Sequence, residues 1–181
     1  QANNITYNLT SLPIKPDGTD GLILLYHFDN TSEENQTQIK DFAYPEQNSS
    51  CTPSDNVCPN FNQTEGKFGG AFSFDGVNDG LNVNPEPPYP SRNITIGVWI
   101  KANPVLSSGN FISSFAGGPS RGFIFGISDS GSRFQWRTGA GNATDVTLIS
   151  NTIVSANRWY HVFAVYNGSL KLIYVNGILD N

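Results

Sequence analysis

Apolar and polar residues alternate with the period of β-strands along much of this chain, most clearly near its end. Apolar or aromatic side chains occupy both faces of Trp159–Tyr166, which predicts a core strand covered on both sides. Asn167-Gly168 and Asn176-Gly177 are pairs that favour two-residue hairpins, and Leu170–Val175 lies between them. The pattern therefore predicts an antiparallel meander.

Further strands are predicted upstream, separated by residues rich in Gly, Ser, Pro or Asn. The run Leu22–Phe28 is almost continuously apolar, which predicts a buried strand, and apolar residues alternate along Ile94–Lys101. The other predicted strands are Phe68–Phe74, Gly80–Asn84, Phe111–Phe115, Gly122–Ile127, Ser132–Thr138 and Val146–Thr152. We expect Gly80–Asn84 to pair with Phe68–Phe74. Because no long stretch has helical periodicity, the predicted class is an all-β, two-sheet antiparallel sandwich.

Four blocks of the sequence resemble, in the right order, segments of one known fold. Gly21–Asp29 resembles its first strand, Gly66–Asp79 the segment after a long first loop, Asn93–Lys101 a middle strand and Trp159–Gly177 the late strands. The chain thus resembles the laminin-G-like, concanavalin-A-like jelly rolls, and the resemblance implies one such domain over residues 21–181. It leaves the function open, because this sandwich hosts lectins, adhesion modules, enzymes and inert spacers.

The two ends of the chain raise the question of a missing strand. Prolines interrupt residues 1–20, but Ile5–Leu9 alternates between apolar and polar residues and is predicted to be an edge strand or a donated strand. The family pattern normally continues beyond Asn176-Gly177. We therefore expect the chain either to be a fragment or to be completed by Ile5–Leu9 of another copy, which would build a filament.

Residues 30–65 are polar and show little periodicity, so they are predicted to form an insertion with little regular structure. Cys51 and Cys58 enclose a loop of eight residues within it. A disulfide between them is favoured, and it would hold the insertion in place. Zinc is the alternative, but it requires four ligands and the chain contains only two His.

The composition indicates a glycoprotein. The 181 residues include 21 Asn and 30 Ser or Thr, from which about three or four Asn-x-Ser/Thr sites are expected by chance. The sequence has nine, at Asn4, Asn8, Asn30, Asn35, Asn48, Asn62, Asn93, Asn142 and Asn167. We therefore expect N-glycosylation and an extracellular, secreted or cell-surface location. A net charge of −5 with scattered basic residues argues against nucleic acid, and no apolar run is long enough for membrane insertion.

The sequence offers little support for catalysis. Glycoside hydrolysis needs two carboxyl groups in one cleft, and the Glu-x-Asp-x-Glu strand of the superfamily's glucanases is absent. Glu33 and Glu34 are adjacent, so their side chains point apart on a strand. His27 and His161 lie among aromatic strand residues and are interpreted as packing residues. The chain is therefore predicted not to be an enzyme.

Two groups of residues are candidates for ligand binding. Asp75, Asn78 and Asp79, joined by Asp29, could supply oxygen ligands to a structural calcium ion, as the resemblance implies, although Asp-Gly pairs are also simple turn formers. Trp136 and Arg137 could bind a carbohydrate if Trp136 is exposed, but Trp136 fits a core position equally well. No cofactor other than this calcium ion is expected.

These observations favour a non-catalytic, heavily N-glycosylated module that acts in adhesion or as a structural building block, with a filament as one form of assembly. Its predicted partners are other cell-surface proteins or copies of itself, together with glycans. A carbohydrate-binding lectin module is the first alternative, and a glycoside-acting enzyme with unfamiliar acids is the second.

Overall fold

The computed structural model describes residues 21–29, 35–43, 47–52, 57–84, 93–103, 108–115, 122–128, 132–138 and 146–181. The chain forms two compact units, Gln1–Pro88 and Tyr89–Asn181, which we call the N-terminal and C-terminal units. The predicted N-terminal segment 1–20 and the proline-rich segment 85–90 lie outside the described residues. The described part contains β-strands and no helix, and this confirms the all-β class.

The strands are numbered in chain order. They are β1 (Gln38–Ile39), β2 (Ser49–Ser50), β3 (Asn60–Gly66), β4 (Gly69–Ser73), β5 (Asn82–Val83), β6 (Ile94–Lys101), β7 (Gly109–Phe115), β8 (Gly122–Ile127), β9 (Arg133–Thr138), β10 (Val146–Ile153), β11 (Trp159–Tyr166), β12 (Lys171–Val175) and β13 (Ile178–Leu179). Every pairing between them is antiparallel.

The N-terminal unit contains a three-stranded sheet in the order β1-β2-β5 and a β3-β4 pair. Three of these strands, β1, β2 and β3, begin within residues 30–65, where we predicted little regular structure. The predicted partner of Phe68–Phe74 was also wrong, because β4 pairs with β3 and β5 pairs with β2. Short polar strands lack a clear alternation of apolar residues, so their pairing is not visible in the sequence.

The run Leu22–Phe28 is not a buried strand. Its residues lie outside every strand, and Leu22 is 37 % exposed. The backbone N–H of Leu25 donates to Oδ1 of Asp41 at 3.0 Å, and the backbone oxygen of Leu25 accepts from the N–H of Phe42 at 2.9 Å. The N–H of Leu25 is therefore satisfied by the carboxylate of Asp41 and not by the backbone of a neighbouring strand.

The C-terminal unit is a sandwich of two four-stranded sheets, in the orders β10-β9-β8-β7 and β13-β12-β11-β6. Large side chains of both sheets meet in its core, and the most completely buried include Phe125, Phe134, Trp136, Tyr160 and Ile173. Burying each such side chain contributes about 1.5–3 kcal/mol relative to leaving it exposed. This packing confirms the predicted two-sheet antiparallel sandwich.

Strand β11 organises its sheet, since it pairs with β6 over eight residues and with β12 over five. Tyr160, Val162 and Ala164 on one face are fully buried, whereas the alternate residues on the other face are only half-buried. The strand is thus in the core as predicted, but its two faces are not equally covered.

The two predicted hairpin turns differ in length. Asn176 and Gly177, with φ of 52° and 82°, form the predicted two-residue turn, and Val175 pairs directly with Ile178. The first turn is longer than predicted, because Tyr166 pairs with Lys171 and four residues lie between them. Oδ1 of Asn167 accepts from the backbone N–H groups of Ser169 and Leu170, at 3.1 and 2.8 Å, and these bonds stabilise the wider loop.

Candidate functional site

Cys51 and Cys58 form the predicted disulfide, with their Cα atoms 5.3 Å apart. The bond joins the residue directly after β2 to the segment that leads into β3. It therefore crosslinks the insertion at the point where the chain leaves the three-stranded sheet. A zinc site at these cysteines is excluded, because both sulfur atoms are in the disulfide.

Five of the nine predicted glycosylation sites lie in the described residues. Asn35, Asn48, Asn93 and Asn167 are exposed, and Asn62 is half-buried. Where their side chains bond to the nearby backbone, as at Asn35, Asn62 and Asn167, the acceptor is the amide oxygen. Glycosylation takes place on the amide nitrogen, whereas these bonds involve the amide oxygen. The predicted sites Asn4, Asn8, Asn30 and Asn142 lie outside the described residues.

The predicted calcium loop is organised by its own backbone. Oδ1 of Asp75 accepts from the N–H groups of Val77, Asn78 and Asp79, at 2.8, 3.2 and 3.4 Å. Oδ2 of Asp79 accepts in turn from the N–H of Asp75 at 2.7 Å. The bonds from the backbone, above all from Val77, hold the pKa of Asp75 below its usual range. This is the geometry of a tight turn.

Calcium binding by this loop is a poor fit to that geometry, since the carboxylate oxygens face backbone N–H groups. Within the described ranges, no group of three or more His, Cys, Asp or Glu side chains could hold a metal ion. Asp29 lies near a different segment, since its Oδ1 is 3.5 Å from the position that a Cβ atom on Gly69 would occupy. We therefore interpret Asp75 and Asp79 as turn residues, and calcium binding there stays a prediction.

Trp136 does not present an aromatic face to a carbohydrate. Its side chain is fully buried between the sheets, where its ring packs against Phe123 and Phe125. Its indole N–H donates to the backbone oxygen of Val165, 3.1 Å away on the opposite sheet. Arg137 is the next residue on β9, so it lies on the other face of that strand. The carbohydrate prediction for this pair is therefore corrected in favour of a core role for Trp136.

A row of aromatic side chains lies on the face of β6 and β11 that points away from the core. Trp99, which is 37 % exposed, stacks on His161 with ring centroids 4.6 Å apart and 10° between the planes. Phe163 meets His161 edge-on at 4.6 Å, and its ring covers Gly97 so closely that a side chain there would collide with it. His161 thus has the packing role that the sequence predicted.

The C-terminal residues join the two sheets of the sandwich. The carboxylate of Asp180 accepts from the N–H groups of Asn151 and Thr152 and from the hydroxyl of Thr152. Asn151 and Thr152 lie in a bulge of β10. The guanidinium group of Arg133, on β9, donates to the backbone oxygens of Ser150 and Asn151 in the same bulge. An open cavity of about 320 Å³ lies beside this junction.

The wall of this cavity combines apolar and charged groups. Ile153, Ile178 and Leu179 are 55–73 % exposed and line it together with Arg158 and Asp180. The sequence did not point to this cavity, because its residues come from four strands, β10 to β13, and from the turns beside them.

Comparison with known families identifies the class of protein. Residues 75–181 match a laminin-G family model, described as the concanavalin A-like lectin/glucanases superfamily. The match covers more than half of the chain, and the chain therefore belongs to this superfamily. This confirms the predicted jelly-roll resemblance.

Among solved structures, the chain is similar to the crystal structure of an S-layer domain-containing protein from Clostridium thermocellum. The TM-score is 0.55 at 21 % sequence identity, over 87 % of this chain and 70 % of that chain. At this identity the similarity concerns the fold alone. No curated protein matches the chain, and no helix of the described residues has the length and apolar character needed to cross a membrane.

Proposed function

We propose that this chain is a non-catalytic, N-glycosylated module of a secreted or cell-surface protein, which acts in adhesion or as a structural building block. The exposure of the described glycosylation sites is the observation that carries this proposal. Asn35, Asn48, Asn93 and Asn167 all reach solvent, and they are spread over both compact units. Glycans attached there would cover a large part of the surface and keep a weakly charged chain in solution, since only 14 % of its residues are charged.

Three further observations support an extracellular setting. A disulfide such as Cys51–Cys58 forms and persists in an oxidising compartment. The structural neighbour is an S-layer domain-containing protein, and laminin-G-like modules are typical of extracellular and cell-surface proteins. All three agree with a module that belongs to an extracellular assembly or a cell surface.

The partners in this proposal are other surface proteins or further copies of this chain. The alternating segment Ile5–Leu9 supports the second case, since an alternating strand can complete the sheet of a neighbour. A chain linked in this way to the next copy would form a filament.

Carbohydrate binding is the second candidate function. The superfamily includes lectins, and the half-exposed stack of Trp99 and His161 provides aromatic surface on the outer face of β6 and β11. Trp136 has no part in it, since it is buried.

Intact mass spectrometry tests the glycoprotein proposal. In a host that performs N-glycosylation, we expect the full chain to lose several glycan masses on treatment with a peptide N-glycosidase. We expect Asn48→Gln to remove one glycan, whereas Asn82→Gln serves as the control, since Asn82 is exposed on the neighbouring strand β5 but lies outside any glycosylation motif. A full chain with the bare polypeptide mass would contradict the proposal.

A glycan array separates the two candidate functions. A structural module is expected to show no saccharide-specific binding, and Trp99→Ala then changes nothing on the array. Binding to one class of saccharide that Trp99→Ala weakens at least about tenfold would establish the lectin function instead. The reason is that packing of a sugar against an aromatic ring would supply much of the affinity. The Trp136→Phe variant, changed only in the core, is the matched control.

A further inference from the structure

Two glycosylation motifs lie side by side at one end of the C-terminal unit. Ile94 of β6 pairs with Tyr166 of β11. Asn93 and Asn167 are the residues directly beyond this pair, and both are exposed. We call this end of the sandwich the motif end.

The third motif of this unit is in a connection that starts and finishes at the same end. Asn142 belongs to the segment between β9 and β10, and the residues that flank this segment, Thr138 and Val146, pair with each other. The indole of Trp136, two residues before Thr138, donates to the backbone oxygen of Val165. The flanking pair therefore lies over the motif end of the first sheet, and glycans on the three motifs would cover one end of the sandwich.

The opposite end carries the cavity and no glycosylation motif. It is the end at which Lys101 pairs with Trp159. The N–H of Ser155 donates to the hydroxyl of Tyr160 at 3.0 Å, which brings the residues after β10 to the same place. None of the residues that line the cavity is the asparagine of an Asn-x-Ser/Thr motif. We call this end the cavity end.

Apolar side chains are exposed at the cavity end. Ile178 pairs with Val175, which is part of the core, so the side chain of Ile178 extends from the core side of its sheet. It is nevertheless 73 % exposed, and Ile153 on the other sheet is 60 % exposed. The space between the two sheets is thus open at this corner. An apolar occupant would remove both side chains from water, which is favourable.

Strand β13 also directs backbone groups away from its sheet. It is an edge strand among the described strands. The N–H of Asp180 donates to the backbone oxygen of Ile173 at 2.8 Å, toward β12. Because successive residues of a strand direct their N–H and C=O groups to opposite sides, those of Leu179 point away from β12. An extended segment can bond to such groups and continue the sheet.

The edge of β10, the other edge strand beside the cavity, is covered by the C-terminal residues. The carboxylate of Asp180 accepts from the N–H groups of Asn151 and Thr152. The side-chain amide of Asn181 donates to the backbone oxygen of Ile149 at 2.8 Å. A strand added at the cavity end would therefore pair with β13.

One segment outside the described residues has the pattern that this surface requires. Ile5, Tyr7 and Leu9 alternate with polar residues, so the segment has one apolar face when it is extended. Asn4 and Asn8, the asparagines of two glycosylation motifs, fall on the opposite face. The segment can thus cover its apolar face while glycans on the other face stay in solvent.

We propose that the cavity end binds the segment Ile5–Leu9 of a second copy of this chain. The segment adds to the edge of β13 and places its apolar side chains against Ile153 and Ile178. Residues 1–14 contain no charged side chain, so the segment brings no charge into the cavity. The inference rests on the proposed function: it links the filament by joining the cavity end of each copy to the N-terminal segment of the next.

Sedimentation velocity of the full chain tests this surface. We expect the parent chain to self-associate as its concentration rises. Ile178→Asp and Tyr7→Asp are each expected to weaken the association at least about tenfold, because each would bury an unpaired charge in the contact. Leu170→Asp is the matched control. Leu170 is also largely exposed, at 53 %, but it lies at the motif end of the same unit, and its variant is expected to associate like the parent chain.

Cysteine crosslinking identifies the occupant. One chain carries Leu179→Cys and another carries Tyr7→Cys, and both keep the native disulfide. When the two variants are mixed under mild oxidation, we expect a disulfide-linked dimer that contains one copy of each. A chain that carries both substitutions is expected to form linked oligomers, whereas pairing within one chain would give a linked monomer.

Three results would overturn the proposal. The first is a parent chain that stays monomeric at every concentration, and the second is association that Ile178→Asp leaves unchanged. The third is a linked monomer from the chain that carries both cysteine substitutions, which would assign the segment to its own copy. Intact mass tests the glycoprotein part of the proposed function separately, so a failure of the contact is distinguishable from a failure of that function.

Discussion

Replacing Trp136 by alanine is expected to lower the free energy of unfolding of the C-terminal unit by about 3–5 kcal/mol. The side chain is fully buried, its ring packs against Phe123 and Phe125, and its N–H bonds to Val165 on the facing sheet. The substitution would leave a cavity between the sheets and remove the hydrogen bond from the indole to the facing sheet. Urea denaturation followed by circular dichroism measures the change.

Two other tryptophan variants control this experiment. Trp136→Phe retains most of the packing but loses the bond to Val165, so we expect a smaller loss of about 1–3 kcal/mol. Trp99→Ala removes an indole that is 37 % exposed. We expect it to lower the free energy of unfolding by less than half as much as Trp136→Ala does. Equal losses of unfolding free energy in the two alanine variants would contradict the core role of Trp136.

Removing the disulfide is expected to destabilise the N-terminal unit by about 2.5 kcal/mol, since Cys51 and Cys58 close a loop of eight residues in the unfolded chain. Hydrogen exchange with peptide mass spectrometry can resolve this unit in the full chain. In the double variant Cys51→Ser/Cys58→Ser, amides of β3 and β4 that exchange through unfolding of the unit should exchange roughly 60-fold faster.

The C-terminal unit provides the internal control for the disulfide experiment. Peptides from β11 and β12 should exchange at the same rate in the variant and in the parent chain, because they belong to a separate compact unit. If β3 and β4 also kept their parental rates, the disulfide would contribute nothing to the stability of the insertion.

The strands of the C-terminal unit were predictable because their sequences combine alternation with clear turn residues. The predicted Gly122–Ile127 agrees exactly with β8, and the predicted Val146–Thr152 ends one residue before β10 does. The turn at Asn176 and Gly177 has the predicted length. The turn at Asn167 does not, because its side-chain oxygen bonds to two N–H groups further along and widens the loop.

The N-terminal unit was less predictable because polar contacts, not apolar alternation, organise it. Leu22–Phe28 has the composition of a buried strand, yet Leu25 bonds to the side chain of Asp41. Nothing around Asp41 in the sequence identifies it as a buried residue, since short polar strands flank it. Its burial depends on a partner sixteen residues away.

The candidate sites also differ in how far the sequence predicted them. Cysteine spacing predicted the disulfide, and the Asn-x-Ser/Thr motif located the asparagines that the structure shows at the surface. The pairing of Trp136 with Arg137 suggested a carbohydrate site, but only the facing sheet shows that this indole is enclosed.

By itself, the sequence determined the all-β class, the superfamily, the disulfide and the positions of the glycosylation motifs, because each depends on neighbouring residues or on short spacings. Only the tertiary structure decided which face of each strand is buried and which polar atoms meet. Those outcomes depend on contacts between residues far apart in the chain: the indole of Trp136 reaches Val165, and the carboxylate of Asp180 reaches Thr152. Local periodicity carries no information about such partners.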